Sequence, residues 1–393
     1  MMENVPVQDC TLCGACRSAC PVDAIQMTAP YLDFFYPKID PALCLHCGRC
    51  RQACPVLHPP ARAEGSDLLL SFAAKSTDDA VRMRSSSGGV FYALADRMLR
   101  DGGAVCGAVF DESFHVNHLL SRRREDLLRM MGSKYAQSEM GTCYREVKRE
   151  LTAGRPVLFS GCPCQIAGLR SYLGKAYPEL LLVELICHGA PSDSMLQTYI
   201  KYQEKRHGAS LTRLEFRSKV KGWHRSAVRM EFANGKTYSE AMTLDTYMQG
   251  YFRCITLKEA CFSCKFRGFS SGSDVTIGDF WGAEAALPAL DDNKGLSVVI
   301  AHSQKAAAFL ASLPLKLVPV GLETVVPYNQ SLVRSFAAGE QREAFYAFAA
   351  EHGLDAAIKQ FFSERFFQRL KRKGRFALRW AWHIVRGKGR PIY

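Results

Sequence analysis

The sequence predicts an α+β protein: a mixed-sheet core of α/β type, with a small cysteine-rich domain in front and a helical tail behind. Two observations carry this reading. Eight of the 16 cysteines fall in two matching runs between residues 10 and 54. Beyond them, short apolar runs alternate with helical patterns up to residue 330, the rhythm of strands covered by helices.

The first run reads Cys10-Thr-Leu-Cys13-Gly-Ala-Cys16-Arg-Ser-Ala-Cys20-Pro21 and the second Cys44-Leu-His-Cys47-Gly-Arg-Cys50-Arg-Gln-Ala-Cys54-Pro55. Both fit C-x2-C-x2-C-x3-C-P, the spacing of a bacterial two-cluster ferredoxin. Residues 1–60 are therefore expected to form a ferredoxin-like domain holding two 4Fe–4S clusters. Each cube needs four thiolates at the corners of a tetrahedron. One cysteine at every third residue wraps three corners, and the fourth thiolate comes from the other run. Cys10, Cys13, Cys16 and Cys54 are expected on one cluster, and Cys44, Cys47, Cys50 and Cys20 on the second. Gly14 and Gly48 let each loop turn without a Cβ clash, and Pro21 and Pro55 fix the chain direction after it. Zinc sites usually take cysteines in pairs, and disulfide frameworks suit small secreted domains. Phe34, Phe35 and Tyr36, between the runs, are expected to pack over the clusters.

A chain of 393 residues with 48% hydrophobic content has material for two or three domains and a sizeable core. The net charge of +13 is mostly local: residues 364–393 hold ten Lys or Arg and one acid. Basicity confined to a tail does not describe a nucleic-acid-binding face. Met1–Gln8 lacks the basic start and apolar run of a signal peptide. No apolar stretch approaches the roughly 18 residues of a spanning helix. A cytoplasmic protein is expected.

The expected domains are 1–60, a linker at 61–66 within the proline-rich stretch after His58, a large domain at 67–330, and a helical basic region at 331–393. In the large domain, Leu68–Ala73, Ala104–Phe110, Val157–Phe159, Leu180–Ile186, Val275–Ile277 and Leu296–Ala301 read as buried strands. Val90–Leu99, Ile166–Leu173 and Met195–Gln203 read as helices. Leu211–Ser239 reads as shorter strands about the hairpin signal Asn234-Gly235. In the tail, Phe362, Phe366, Phe367 and Leu370, then Ala377, Trp380, Ala381 and Ile384, recur at helical spacing among Lys and Arg. That pattern fits contact with an anionic membrane surface or an acidic protein. It fits a helix packed on its own domain equally well.

Several motifs bear chemistry. Ser85-Ser86-Ser87-Gly88-Gly89 precedes the helix at Val90, where glycines and free N–H groups suit a cofactor pyrophosphate. A loop with a serine N-cap has the same signature. Gly132–Ser138 offers Lys134 for a phosphate and Tyr135 for a ring system, or is a surface loop. Cys162-Pro-Cys164 and Cys187-His188 each follow an apolar strand, and Cys261-Phe-Ser-Cys264 adds two thiols at metal-ligand spacing. Cys164, Cys187, Cys261 and Cys264 suit a third iron–sulfur cluster; a zinc site, a redox disulfide or buried free thiols fit as well. Phe280 and Trp281, after a short strand, suit either a flavin face or the core.

Taken together, Ser85–Gly89, Gly132–Ser138, Cys164–Leu169, Ile186–Ser192, Tyr247-Met248, Cys261–Cys264, Ser273–Gly282 and Asp291–Gly295 resemble the coenzyme F420 hydrogenase/dehydrogenase beta-subunit family, in its form with a fused two-cluster ferredoxin domain. The resemblance covers nearly the whole chain up to Arg342. It implies FAD in the large domain beside a 4Fe–4S cluster, and it makes Cys164, Cys187, Cys261 and Cys264 the candidate ligands. Ser86, Ser87, Gly88, Gly89, Lys134, Tyr135, Ser138, Phe280 and Trp281 become candidate flavin contacts. His188 is the candidate proton donor, with a structural hydrogen bond as its other role. The chain departs from the family pattern at Cys162, where threonine is commoner, and at Ser271, where a basic residue is.

Clusters move single electrons, hydride chemistry takes two, and a flavin joins the two regimes. The expected function is an iron–sulfur flavoprotein oxidoreductase acting on an organic acceptor, either a deazaflavin coenzyme or an intermediate of a polysaccharide pathway. Its expected partner is an electron-carrying protein or a small redox carrier, with the basic tail offering a contact to the inner membrane face. The rival reading is an electron-transfer subunit that docks to a separate catalytic partner.

Overall fold

The computed structural model describes residues 5–60 and 69–362. The expected linker and the basic tail lie outside the described residues.

Each cysteine run makes a loop and one short helix, Ala15–Ala19 and Arg49–Gln52. Gly14 (φ 80°) and Gly48 (φ 71°) start those helices in the left-handed region. Leu12 and His46, two residues earlier in each run, also have positive φ, so the duplication extends to the backbone. Between the runs, β1 (Ile25–Tyr31) and β2 (Phe34–Ile39) form an antiparallel hairpin. Strand alternation buries Phe34 and Tyr36 beside Leu12 and leaves Phe35 52% exposed. Phe35 therefore does not cover the cysteines as its neighbours do.

The large domain is built on an eight-stranded mixed sheet. Its strands are β3 (Leu70–Ser76), β4 (Ala104–Phe110), β5 (Val116–Ser121), β6 (Val157–Gly161), β7 (Leu180–Leu185), β11 (Val275–Asp279), β12 (Ser297–Ala301) and β13 (Leu315–Pro319). The intervening β8 (Leu211–Ser218), β9 (Ala227–Phe232) and β10 (Thr237–Ala241) form a separate antiparallel sheet. The large sheet runs β13-β3-β12-β11-β7-β6-β4-β5. The middle four, β4, β6, β7 and β11, are mutually parallel, and the flanking pairs are antiparallel.

Alternate residues feed opposite faces. Val105, Leu158, Val183 and Val299 join the core under the helices Val90–Arg100 and Gln304–Ala311. Cys106, Phe159 and Leu182 join the core under Cys143–Thr152 and Pro163–Leu173. The small sheet packs with Asp193–His207, Thr246–Phe252, Arg342–His352 and Leu354–Phe362 around a further core.

The cysteine-rich lobe is bound tightly to this domain. Arg145 donates to the carbonyls of Ser18 (2.8 Å) and Cys20 (2.6 Å) and pairs with Asp23, capping the end of the first short helix. Buried Asp33, at the hairpin tip, accepts hydrogen bonds from Ser192 and from Tyr346 (2.8 Å). A Cβ on Gly168 would lie 2.9 Å from Cys13 Cβ, so only glycine admits the lobe this close.

Candidate functional site

The parallel strands end at the chemistry. β6 runs into Cys162-Pro-Cys164, β7 into Cys187-His188, and β11 into Phe280-Trp281. In such sheets, ligands sit outside the carboxyl ends of the strands.

In the small lobe, the sulfur-bearing residues Cys10, Cys13, Cys16 and Cys54 line one cavity with Thr11, Tyr36 and Met27. Burial pushes the Cys10 thiol up to about 12 and raises Cys13 and Cys16 as well. Thiols this buried stay protonated unless a metal takes them as thiolates. The buried Tyr36 hydroxyl at the same cavity has no protein partner among the described residues. A hydroxyl without a partner at a ring of four thiols fits a cube whose sulfides accept hydrogen bonds. Of the other four cysteines, Cys20 is buried and Cys44, Cys47 and Cys50 lie nearer the surface, with Cys50 interacting with Cys47 and Cys20. Backbone N–H groups of Ala24 and His46 point at the sulfurs of Cys20 and Cys44 (3.3 and 3.4 Å). Cys47 is exposed, and Leu45 beside it is 63% exposed.

A third group of thiols converges in the large domain. Cys164 interacts with Cys264, Cys187 and Cys261, and the Cys162 and Cys187 thiols are hydrogen-bonded to one another. Five thiols therefore meet where the sequence suggested four. The ammonium of Lys258 interacts electrostatically with Cys261, Cys164 and Cys162 of this group. Cys13 packs against Gly168, one helical turn beyond Cys164. The first thiol ring and this group are thus neighbours.

Beside the third group lies a cavity of about 640 Å³, the size of a cofactor site. Cys162 and Cys187 form part of its wall. Ser86, Ser87, Gly89, Lys134, Tyr135, Ser138, His188 and Trp281 line it too. Gly88 and Phe280 turn away. The Gly88 N–H bonds Ser297 Oγ at 2.9 Å, and its missing Cβ makes room for the Ala74 carbonyl. Phe280 is fully buried in the core on the far face of β12. Trp281, 41% exposed, stacks on Trp223 (5.6 Å, 3°).

Ser86 Oγ accepts from Ser133 N at 2.8 Å, which joins the two expected cofactor loops. Gly89 begins the helix Val90–Arg100 at φ 88° with no side-chain cap, leaving first-turn N–H groups for an anion. Lys134 differs from its sequence reading. Its ammonium donates to the carbonyls of Arg129, Met130 and Met131 (2.8–3.0 Å), so it closes a helix end instead of reaching for a phosphate. Burial lowers its pKa to about 7. His188 contacts Cys254 Sγ (3.3 Å) and Ser331 Oγ (3.4 Å) between the rings of Tyr251 and Phe336. Burial and the Arg267 charge hold it near 4, so the ring is neutral at neutral pH, with one N–H donor and one acceptor nitrogen.

One residue lining this site and one supporting it from behind were not visible in the sequence. His118, on β5, lines the cavity; its Nδ1 is buried without a partner among the described residues. Such an atom fits a cofactor acceptor or donor group. Arg217, from the small sheet, pairs bidentately with Asp279 (2.8 and 2.9 Å) and lies under Trp281. Both come from elements far away in sequence, and neither sits in a motif. His224, Glu284 and Asp291 also cluster. Each ring nitrogen of His224 faces a different carboxylate, which is ion-pair geometry.

Among the described residues, no helix is long and apolar enough to cross a membrane.

Three family profiles match the chain. Residues 9–57 match a 4Fe-4S dicluster domain. Residues 71–143 and 154–316 match the N-terminal and C-terminal parts of the coenzyme F420 hydrogenase/dehydrogenase beta subunit. No curated protein sequence matches. Among solved structures, a chain of the xenon-derivatized F420-reducing nickel–iron hydrogenase complex from Methanosarcina barkeri aligns at 18% identity over 74% of this chain and 90% of that chain, with a TM-score of 0.44.

Proposed function

As the chain belongs to the coenzyme F420 hydrogenase/dehydrogenase beta-subunit family and carries a 4Fe–4S dicluster domain at its N-terminus, we propose that it is an iron–sulfur flavoprotein oxidoreductase. It couples one-electron carriers to the two-electron reduction or oxidation of an organic acceptor, for which the coenzyme in the family's description is the first candidate. Bound clusters supply single-electron transfer, and bound FAD supplies the change from single electrons to hydride.

Cys44, Cys47, Cys50 and Cys20 hold the outermost cluster, where exposed Cys47 and Leu45 suit a docking electron carrier. Cys10, Cys13, Cys16 and Cys54 hold the second. Cys164, Cys187, Cys261 and Cys264 hold a third, with Cys162 beside them. Ser86, Ser87, Gly89, Tyr135, Ser138 and Trp281 form the flavin site. The uncapped helix start after Gly89 binds the pyrophosphate, and Trp281, underlain by Arg217, forms a wall. Lys134 keeps the cavity-side helix end in place. His188 contributes packing and hydrogen bonds to the wall next to the third cluster.

One observation carries the reading: Cys162 and Cys187 belong both to the five-thiol group and to the wall of the large cavity. An iron–sulfur center and a cofactor held there would be in contact, as one-to-two-electron coupling requires. The test is stopped-flow mixing of the anaerobic protein with a reduced ferredoxin. Flavin absorbance should fall in the wild type. Cys164→Ser should slow that fall by about tenfold or more while the N-terminal clusters still reduce. Flavin reduction at the wild-type rate in the variant contradicts the reading.

A further inference from the structure

Lys258 is 2% exposed, with its ammonium in the interface between the two lobes. The Nζ donates to the Thr11 carbonyl in the first cysteine run and to Gln137 Oε1 at 2.6 Å. Both acceptors are neutral. Removing a cation from water is unfavorable unless opposite charge compensates. The groups around this one that can carry negative charge are thiols from both lobes. The ammonium interacts with Cys10 and Cys13 of the small lobe and with Cys164, Cys261 and Cys162 of the large domain. The lysine backbone is fixed at the same place: its N–H donates to Ala190 O, and its carbonyl accepts from Cys261 N, both at 2.9 Å.

We infer that the Lys258 ammonium is a shared counter-charge for two iron–sulfur clusters, the one on Cys10, Cys13, Cys16 and Cys54 and the one on Cys164, Cys187, Cys261 and Cys264. The inference rests on the cluster assignment proposed above. Reduction adds one negative charge to a cluster, so a fixed cation nearby favors the reduced state and raises the potential. Lys258 thus raises both of these potentials through its charge. The outer cluster, on Cys44, Cys47, Cys50 and Cys20, is formed from thiols outside this set and is not tuned by it.

The experiment is potentiometric EPR of the full chain, purified anaerobically, as wild type, Lys258→Met, Lys258→Gln and Lys258→Arg. Two of three cluster signals should move to more negative potential in the Met and Gln variants, the third should stay, and Arg should restore the wild-type values. Unmoved potentials with all clusters present overturn the inference, and so does an equal shift of all three. If Met and Gln both fail to retain clusters, retention with wild-type potentials in Arg upholds it, because charge is what Arg restores. Loss in Arg as well overturns it in favor of a purely steric role. A wild-type chain with only two clusters overturns the underlying assignment along with the inference. Three clusters with unmoved potentials overturns the inference alone.

Discussion

Single residues set how closely the two lobes approach. Gly168 lets Cys13 lie one turn from Cys164, because a Cβ there would sit 2.9–3.0 Å from the cysteine's Cβ and sulfur and from the Tyr144 hydroxyl. Tyr144 is fully buried and cannot step aside. Gly168→Ala should therefore cost about 1–3 kcal/mol through overpacking and disturb one cluster selectively. Iron analysis with EPR checks this; a variant with unaltered melting and unaltered signals contradicts the packing argument. The cysteine spacing announced the N-terminal thiol groups because three ligands of each are local and the fourth holds a fixed place in the matching run. The third group was only suggested, because Cys164, Cys187 and Cys261 are brought together by strands β6 and β7 and a distant loop. Nothing in the sequence pointed to Lys258, which does its work through space. Phe280 and Trp281 are adjacent, and only the strand's end decides which of them faces the core.

At the scale of elements, the strands readable as apolar runs are β3, β4, β6, β7, β11 and β12, all interior to the sheet and largely buried. The edges β5 and β13 carry Asn117, His118 and Lys316 among their apolar residues. Half-exposed strands of that kind give a weak signal, so His118 went unnoticed together with its strand. The helix Cys143–Thr152 braces the lobe through Arg145 and is itself fastened at its far end. There Glu150 accepts from Arg155 (2.6 Å) and pairs with Arg122. The Arg155 hydrogen bond, followed by that of Arg122, holds the Glu150 carboxyl down to about 2. A depressed carboxylate stabilizes the fold above its unfolded pKa, and that contribution disappears as pH falls through the folded one. The melting-temperature gap between wild type and Glu150→Gln should be complete at neutral pH and close as pH drops from 4.5 toward 2. A gap independent of pH would show that the ion pair does not contribute.

For the molecule as a whole, the fold class was legible, and so was the separation of a cysteine-rich lobe from a sheet domain. How the lobes dock was not, since it depends on scattered polar contacts. Buried Asp33 is the clearest of these. Asp33→Ala would leave the buried Tyr346 hydroxyl without its acceptor and Ser192 Oγ with only the Met195 N–H it caps, at a cost of about 1–3 kcal/mol for a buried group left unpaired. Circular dichroism and cluster absorbance, followed together on heating, should separate in the variant: cluster absorbance should be lost first, with the sheet still folded. One shared transition at the wild-type temperature would mean that the lobes are held by other contacts.

The central claim is that three thiol groups and one adjoining cavity form a single relay, and composition tests it most directly. Anaerobically purified protein should contain about twelve iron and about twelve sulfide per chain, with one FAD and the overlapping visible bands of clusters and flavin. About eight iron and no flavin would leave the dicluster domain standing and contradict the relay.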